Sequence, residues 1–170
     1  MNRKIYLDMD GVLADWNTGV ENIIGYRRKD ANAPYNPDDW AKVRQTQRIY
    51  RDLPLMKDAT RLADTARQFR DRLGWELLIL TATPKENDFK WAFYDKFTWA
   101  NKYFPDIPVH FGPFAKDKHT HCTPGDILVD DRKSNCDEWK EKGGVAIKVT
   151  KERVDLAIDQ LENIFKDLAL

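Results

Sequence analysis

The chain has 170 residues and balances 28 lysines and arginines against 28 aspartates and glutamates. That length favours one domain with room for a small insert, and the balanced charge argues against whole-chain attraction to nucleic acid or to an anionic membrane. No apolar stretch is long enough to span a bilayer, no signal-peptide core precedes the first aspartates, and two cysteines, Cys122 and Cys136, are too few for a disulfide scaffold, so a cytoplasmic protein with reduced thiols is expected.

The first predicted element is KIYLD, Lys4 to Asp8, a short buried strand. Three aspartates follow in quick succession, Asp8, Asp10 and Asp15. An isolated ionised carboxylate is costly to desolvate, so such a cluster needs compensation. Asp15 stands just before WNTGV, where the simplest role is a helix N-cap. From Trp16 to Asp58 no good strand occurs: DANAPYNPDD is rich in turn residues and WAKVRQTQRIY has a short helical pattern. This stretch reads as a helical insert over one end of a sheet. Within it RRKD, Arg27 to Asp30, offers phosphate contacts but reads first as a solvated turn.

Ala59, Leu62, Ala63, Ala66, Phe69 and Leu73 recur at helical spacing, with Asp58 placed to cap the start and Gly74 the end. WELLIL, Trp75 to Leu80, is a second strand and runs directly into TATP. Phe89, Phe93, Phe97, Ala100 and Phe104 predict an amphipathic helix stopped by Pro105. IPVHF from Ile107, DILVDD from Asp126 and VAIKV from Val145 are the third to fifth strands. Val154, Ile158, Leu161, Phe165 and Leu168 predict a closing helix, and Trp91, Trp99 and Trp139 fall on helices as core residues. This alternation predicts an α/β fold, a Rossmann-like parallel sheet flanked by helices. Residues 1–15 and 58–170 form the core and residues 16–57 a small helical cap.

In such a sheet ligands bind beyond the carboxyl ends of the strands. The first strand ends in Asp8 and Asp10, the second in Thr81, and the fourth in Asp130 and Asp131. Parallel strands bring these ends to one edge, and four carboxylates in a small volume cannot all stay ionised without a cation. Oxygen-only ligands favour Mg2+, which leaves room for a phosphate. His119, His121 and Cys122 have zinc-ligand chemistry but no second pair at finger spacing, and read as a polar loop. Trp16, Tyr35, Trp40 and Tyr50 lie in or beside the insert, where aromatic rings either stack on a nucleobase or pack the cap.

DMDGVLAD at the first strand and LVDDR at the fourth resemble the haloacid dehalogenase superfamily of phosphotransferases. RIYRDLPLMKDA, YDKFTWANKYF, the KDK context and DDRKSNCDEWKEKGG are similar to its 5'(3')-deoxyribonucleotidase branch. The resemblance runs from Ile5 to about Val149. It implies that Asp8 is the nucleophile, forming an aspartyl-phosphate. It makes Asp10 the general acid and then base. It implies that Asp8, the Asp10 backbone carbonyl and Asp131 hold Mg2+, with Asp130 behind them. It also implies that Thr81 binds a phosphoryl oxygen, that Lys118 supplies the fixed cation, and that Trp16 contacts a base. This chain departs from the branch where TATP stands in place of Thr-Ser-Pro, which leaves Ala82 and Thr83 as alternatives to Thr81, and Lys116 is the alternative to Lys118.

The resemblance therefore implies a magnesium-dependent phosphomonoesterase of (deoxy)ribonucleoside monophosphates. Two other readings stand beside it: a phosphatase of nucleic-acid ends or of another small ester, and a non-catalytic nucleotide-binding or regulatory protein on the same fold. The expected partner is a small nucleotide. No membrane partner is expected, no basic track supports a polymer, and a homodimer is left open.

Overall fold

The branched apolar runs form five strands, β1 (Lys4–Leu7), β2 (Glu76–Thr81), β3 (Val109–Phe111), β4 (Ile127–Asp130) and β5 (Val145–Lys148), in a computed structural model that describes residues 2–84 and 88–170. All pairings are parallel and the order is β3-β2-β1-β4-β5. β1 and β4 are buried on both faces, which is why they read as continuous apolar runs rather than alternating ones.

Seven helices accompany the sheet among the described residues: α1 (Trp16–Ile24), α2 (Pro37–Gln45), α3 (Ile49–Asp52), α4 (Ala59–Leu73), α5 (Ala92–Tyr103), α6 (Lys133–Glu141) and α7 (Val154–Leu168). Asp15 caps α1, its Oδ1 accepting Thr18 N–H at 3.0 Å and its Oδ2 the Thr18 hydroxyl at 2.8 Å. Asn36 does the same for α2, with Pro37 in the first turn where a missing N–H is harmless. Between β1 and α4 the described chain is helix and loop. Where the chain leaves and returns, Asp15 N donates to Pro54 O and Met56 N to Leu13 O, both at 2.8 Å.

α4 and α7 pack side by side with their apolar stripes inward, although Leu73 is only half-buried and Leu168 is exposed. Three sequence expectations need correction here, for Asp58, for the middle of the α5 stripe and for Trp91. Asp58 stands at the N-cap of α4 but makes no capping bond, because its side chain pairs with Arg61. The predicted stripe along α5 holds at Phe89, Ala100 and Phe104, which are buried in the core, but fails in its middle. Phe93 and Phe97 are 59% and 44% exposed, and Trp91, just before the helix, is exposed as well. The buried face of the helix joins Ala92, Asp95 and Lys96 to the expected Trp99 and Ala100. The physical reason is polar: Asp95 takes a two-pronged ion pair from Arg48 at 2.8 and 2.6 Å, and Lys96 is needed at the sheet edge. The helix is rolled accordingly, and Phe93 stacks instead on Phe111 of β3. Trp99 and Trp139 are core residues, with indole N–H groups satisfied by Leu53 O and Asp126 O.

Candidate active site

The strand register makes the acidic residues converge. Leu7 pairs with Ile79 on one side and Val129 on the other, and Asp8 N donates to Val129 O at 2.9 Å. Asp8 and Asp130 therefore end level. Asp130 is completely enclosed. Its Oδ2 accepts Lys118 Nζ at 2.8 Å, its Oδ1 accepts Arg132 N at 2.9 Å, and Asn135 Nδ2 reaches both oxygens. Lys118 comes from a 3-10 helix, Ala115–His121, and is as buried as Asp130. Its ammonium also meets Asp8 Oδ1 at 2.6 Å, where Met9 N donates as well at 2.8 Å. Lys116, two residues earlier, is exposed.

Asp131 is not sequestered and lines a cavity of about 490 Å3 beyond the sheet edge. Its carboxylate lies over Gly11, where a Cβ would come within 2.3 Å of Asp131 Oδ2 and where φ is +82°. Space and backbone conformation both demand glycine at this point. Oxygens of Asp8, Asp130 and Asp131 lie within 4.8 Å of one another. Burial opposes the charge on Lys118, but Asp8 and Asp130 outweigh it and hold the ammonium above its usual range. Burial, then the charge of Asp130, raises Asp8 well above the carboxylate range and pushes Asp131 up to about 6. A single ammonium between Asp8 and Asp130 cannot balance three carboxylates. The excess negative charge and all-oxygen donor set fit Mg2+, with Asp8 and Asp131 on the cavity wall and Asp130 closed off behind them. Among the described residues this is the one converging group of three or more acidic, histidine or cysteine side chains. His119 sits beside Glu138 and His121 against Gly112 O, so the HTHC stretch assembles no second group.

Asp10 lies in the turn from Met9 to Ala14. Its Oδ2 accepts Lys96 Nζ at 2.7 Å, and its Oδ1 is buried with no hydrogen-bond partner among the described residues. Lys96 also donates to Thr81 Oγ1 at 3.1 Å and Ala82 O at 2.6 Å, and lies 4.6 Å from the centre of the Tyr50 ring. Three acceptors use all three ammonium protons of Lys96, whereas Lys118 has two acceptors among the described residues and one proton beyond them. Thr81 is fully buried behind Lys96 and is not on the cavity wall. Thr83 is on that wall, its hydroxyl donating to Pro113 O at 3.1 Å.

Trp16, Tyr35, Trp40 and Tyr50 line the same cavity. They also pack on one another. Trp16 stacks on Tyr50 with ring centres 5.3 Å apart, Tyr35 leans on Trp40 at 5.1 Å, and Trp16 Nε1 donates to the Tyr35 hydroxyl at 2.9 Å. A flat ring cannot enter between Trp16 and Tyr50 without parting them, so only their outer faces and edges meet a ligand. Sequence reasoning passed over Lys96, Asn135, Asn17 and Arg132, the last three also on this wall. For Lys96 a signal was present: it falls four residues after Ala92 and three before Trp99, inside a helical stripe of buried residues.

Fold and site together fit one class, a phosphatase built on the haloacid dehalogenase (HAD) plan, with a candidate site at the carboxyl edge of a parallel sheet. The family model for 5' nucleotidase, deoxy (pyrimidine), cytosolic type C protein matches residues 2–155. The chain belongs to that family. No curated protein matches it by sequence. Among solved structures it is similar to an aspartate-to-alanine mutant of a HAD family enzyme from Bacteroides thetaiotaomicron, in complex with magnesium and inorganic phosphate. The TM-score is 0.48 and the identity 11%, over 88% of this chain and 95% of that one. It is also similar to the HAD domain of effector protein Lem4 from Legionella pneumophila, with TM-score 0.45 and identity 12%, over 98% of this chain and 93% of that one. Among the described residues no helix is long and apolar enough to cross a membrane.

Proposed function

We propose that the protein is a magnesium-dependent phosphomonoesterase that hydrolyses deoxyribonucleoside or ribonucleoside monophosphates through an aspartyl-phosphate on Asp8. One observation carries this reading: Asp8 and Asp10, each gripped by its own lysine, open into the same cavity as Trp16, Trp40 and Tyr50. Residues 1–15 and 58–170 serve as the catalytic core and residues 16–57 as the cap.

Asp8 Oδ1 is held by Lys118 and Met9 N, which turns Oδ2 toward phosphorus as the attacking atom. As the Asp8–phosphorus bond forms, the ester oxygen leaves and takes a proton from Asp10. Water then attacks the aspartyl-phosphate, gives a proton back to Asp10, and free phosphate departs. Lys96 fixes Asp10 by Oδ2 and so orients this carboxyl at the wall of the cavity. The spare proton of Lys118 serves a phosphoryl oxygen, and Thr83 replaces Thr81 as the hydroxyl nearest the ligand. Thr81 helps orient Lys96. Asp8, Asp131 and the Asp10 carbonyl would hold Mg2+, with Asp130 acting from behind. The ion, when bound, neutralises charge on the phosphoryl group. Burial above all, and then the charge of Asp10, keeps the Tyr50 phenol neutral, so the wall above the phosphate is aromatic and uncharged there.

The test is phosphate release from a panel of nucleoside monophosphates, sugar phosphates and 5'- or 3'-phosphorylated oligonucleotides, with magnesium and with chelator. Magnesium-dependent turnover highest on mononucleotides is expected. Higher kcat/KM on oligonucleotide ends or hexose phosphates overturns the substrate assignment, and no turnover of any ester overturns the catalytic one.

A further inference from the structure

The RRKD stretch has an unexpected place. Arg27 and Lys29 are exposed, but Arg28 between them is half-buried. Its guanidinium lies 3.9 Å from the centre of the Tyr35 ring. The same group donates to Ala31 O at 3.2 Å, to Ala33 O, and to Pro34 O at 3.5 Å. The backbone N–H of Arg28 reaches Glu21 of α1, and the Tyr26 hydroxyl pairs with Asp39 of α2. The loop from Gly25 to Asn36 is thus wrapped around one planar cation and tied at both ends. Its last ring, Tyr35, accepts the Trp16 indole N–H and leans on Trp40.

We propose that Arg28 is a positioning residue for specificity: it sets Tyr35, and through Tyr35 the face that Trp16 shows to the cavity. The proposal rests on the nucleotide reading above for its link to substrate choice. Arg28 is not on the cavity wall. Its effect is therefore on the ligand's ring and not on the transferring phosphoryl group. A lysine cannot replace it, because an ammonium has neither the fork that spans several carbonyls nor the flat face that lies on Tyr35.

The experiment uses the full chain with magnesium and the variants Arg28→Met and Arg28→Lys, read in two ways. In spectra of the 15N-labelled protein, Trp16 is assigned by Trp16→Phe. Both Arg28 variants should shift the Trp16 indole signal and speed its hydrogen exchange. The buried indoles of Trp99 and Trp139 should stay unchanged and report an intact fold. In steady-state assays KM for a pyrimidine deoxynucleoside monophosphate should rise about 10-fold, the size of one weak base stack, with kcat little changed and KM for p-nitrophenyl phosphate within about twofold. An unmoved Trp16 signal in Arg28→Met overturns the proposal. So does full rescue of KM by Arg28→Lys, which would make Arg28 a charge that attracts the anionic substrate. Equal losses on both substrates overturn the specificity role. If the wild-type enzyme shows no preference for the nucleotide, the nucleotide reading fails and takes the specificity role with it, while the indole signals separately decide whether Arg28 sets the wall.

Discussion

Replacing Asp131 by asparagine removes one charge from the acidic cluster and keeps its size over Gly11. A carboxyl pushed up from 3.8 to about 6 is ionised at neutral pH at a cost of about 3 kcal/mol in the metal-free protein. The folded protein holds this proton more tightly than the unfolded chain does. The associated stability is therefore fully present below pH 3.8 and is lost as pH rises through about 6. In chelator at pH 7.5, Asp131→Asn should therefore be more stable than wild type by up to about 3 kcal/mol, or roughly 6–12 °C in Tm for a chain of this size. The gap should shrink as pH falls below 6. Magnesium at 1,000 times its Kd should reverse the order, since it stabilises the wild type by about 4.1 kcal/mol and the variant loses a ligand. Differential scanning calorimetry between pH 5 and 8, with magnesium or with chelator, measures all of this. A variant no more stable than wild type in chelator at pH 7.5, or a gap that ignores pH, would refute the crowding on which the metal assignment rests.

Asp8→Asn should reduce turnover to background while circular dichroism and Tm report an intact fold; near-normal hydrolysis by a clean preparation rules out the covalent route. Lys118→Ala should lower kcat by about 10²–10³ and the exposed Lys116→Ala by less than about twofold, so the opposite ranking would show that the wrong lysine carries the charge. Lys96→Met should depress kcat on every ester by freeing Asp10, with KM nearly unchanged; a loss confined to KM would make Lys96 a binding group. Trp16→Ala should raise KM for nucleotides while sparing slow hydrolysis of p-nitrophenyl phosphate, and equal loss on both would reduce the aromatic wall to cap packing.

Strands and their acidic tips were legible because each depends on neighbours in the chain. A buried parallel strand must be a run of branched apolar residues, and Asp8, Asp10, Asp130 and Asp131 stand out because such runs end in them. The carboxylate of Asp131 that forbids a side chain at Gly11 is 120 residues away in sequence. The roll of α5 was not legible. Phe93 and Phe97 fit the helical period as well as Asp95, Lys96 and Trp99 do, and composition favours the phenylalanines, since burying Asp95 and Lys96 is disfavoured until Arg48, Asp10, Thr81 and Ala82 O are there to receive them. Thr81 and Thr83 could not be ranked for a similar reason: both follow the same strand, and only the arrival of Lys96 from α5 puts one behind the wall and leaves the other on it. The sequence by itself determined which residues had chemistry to offer and at which strand ends they stood. The tertiary structure alone decided which cation meets which carboxylate, because those pairs join segments up to 110 residues apart, and no periodicity reaches across such a distance.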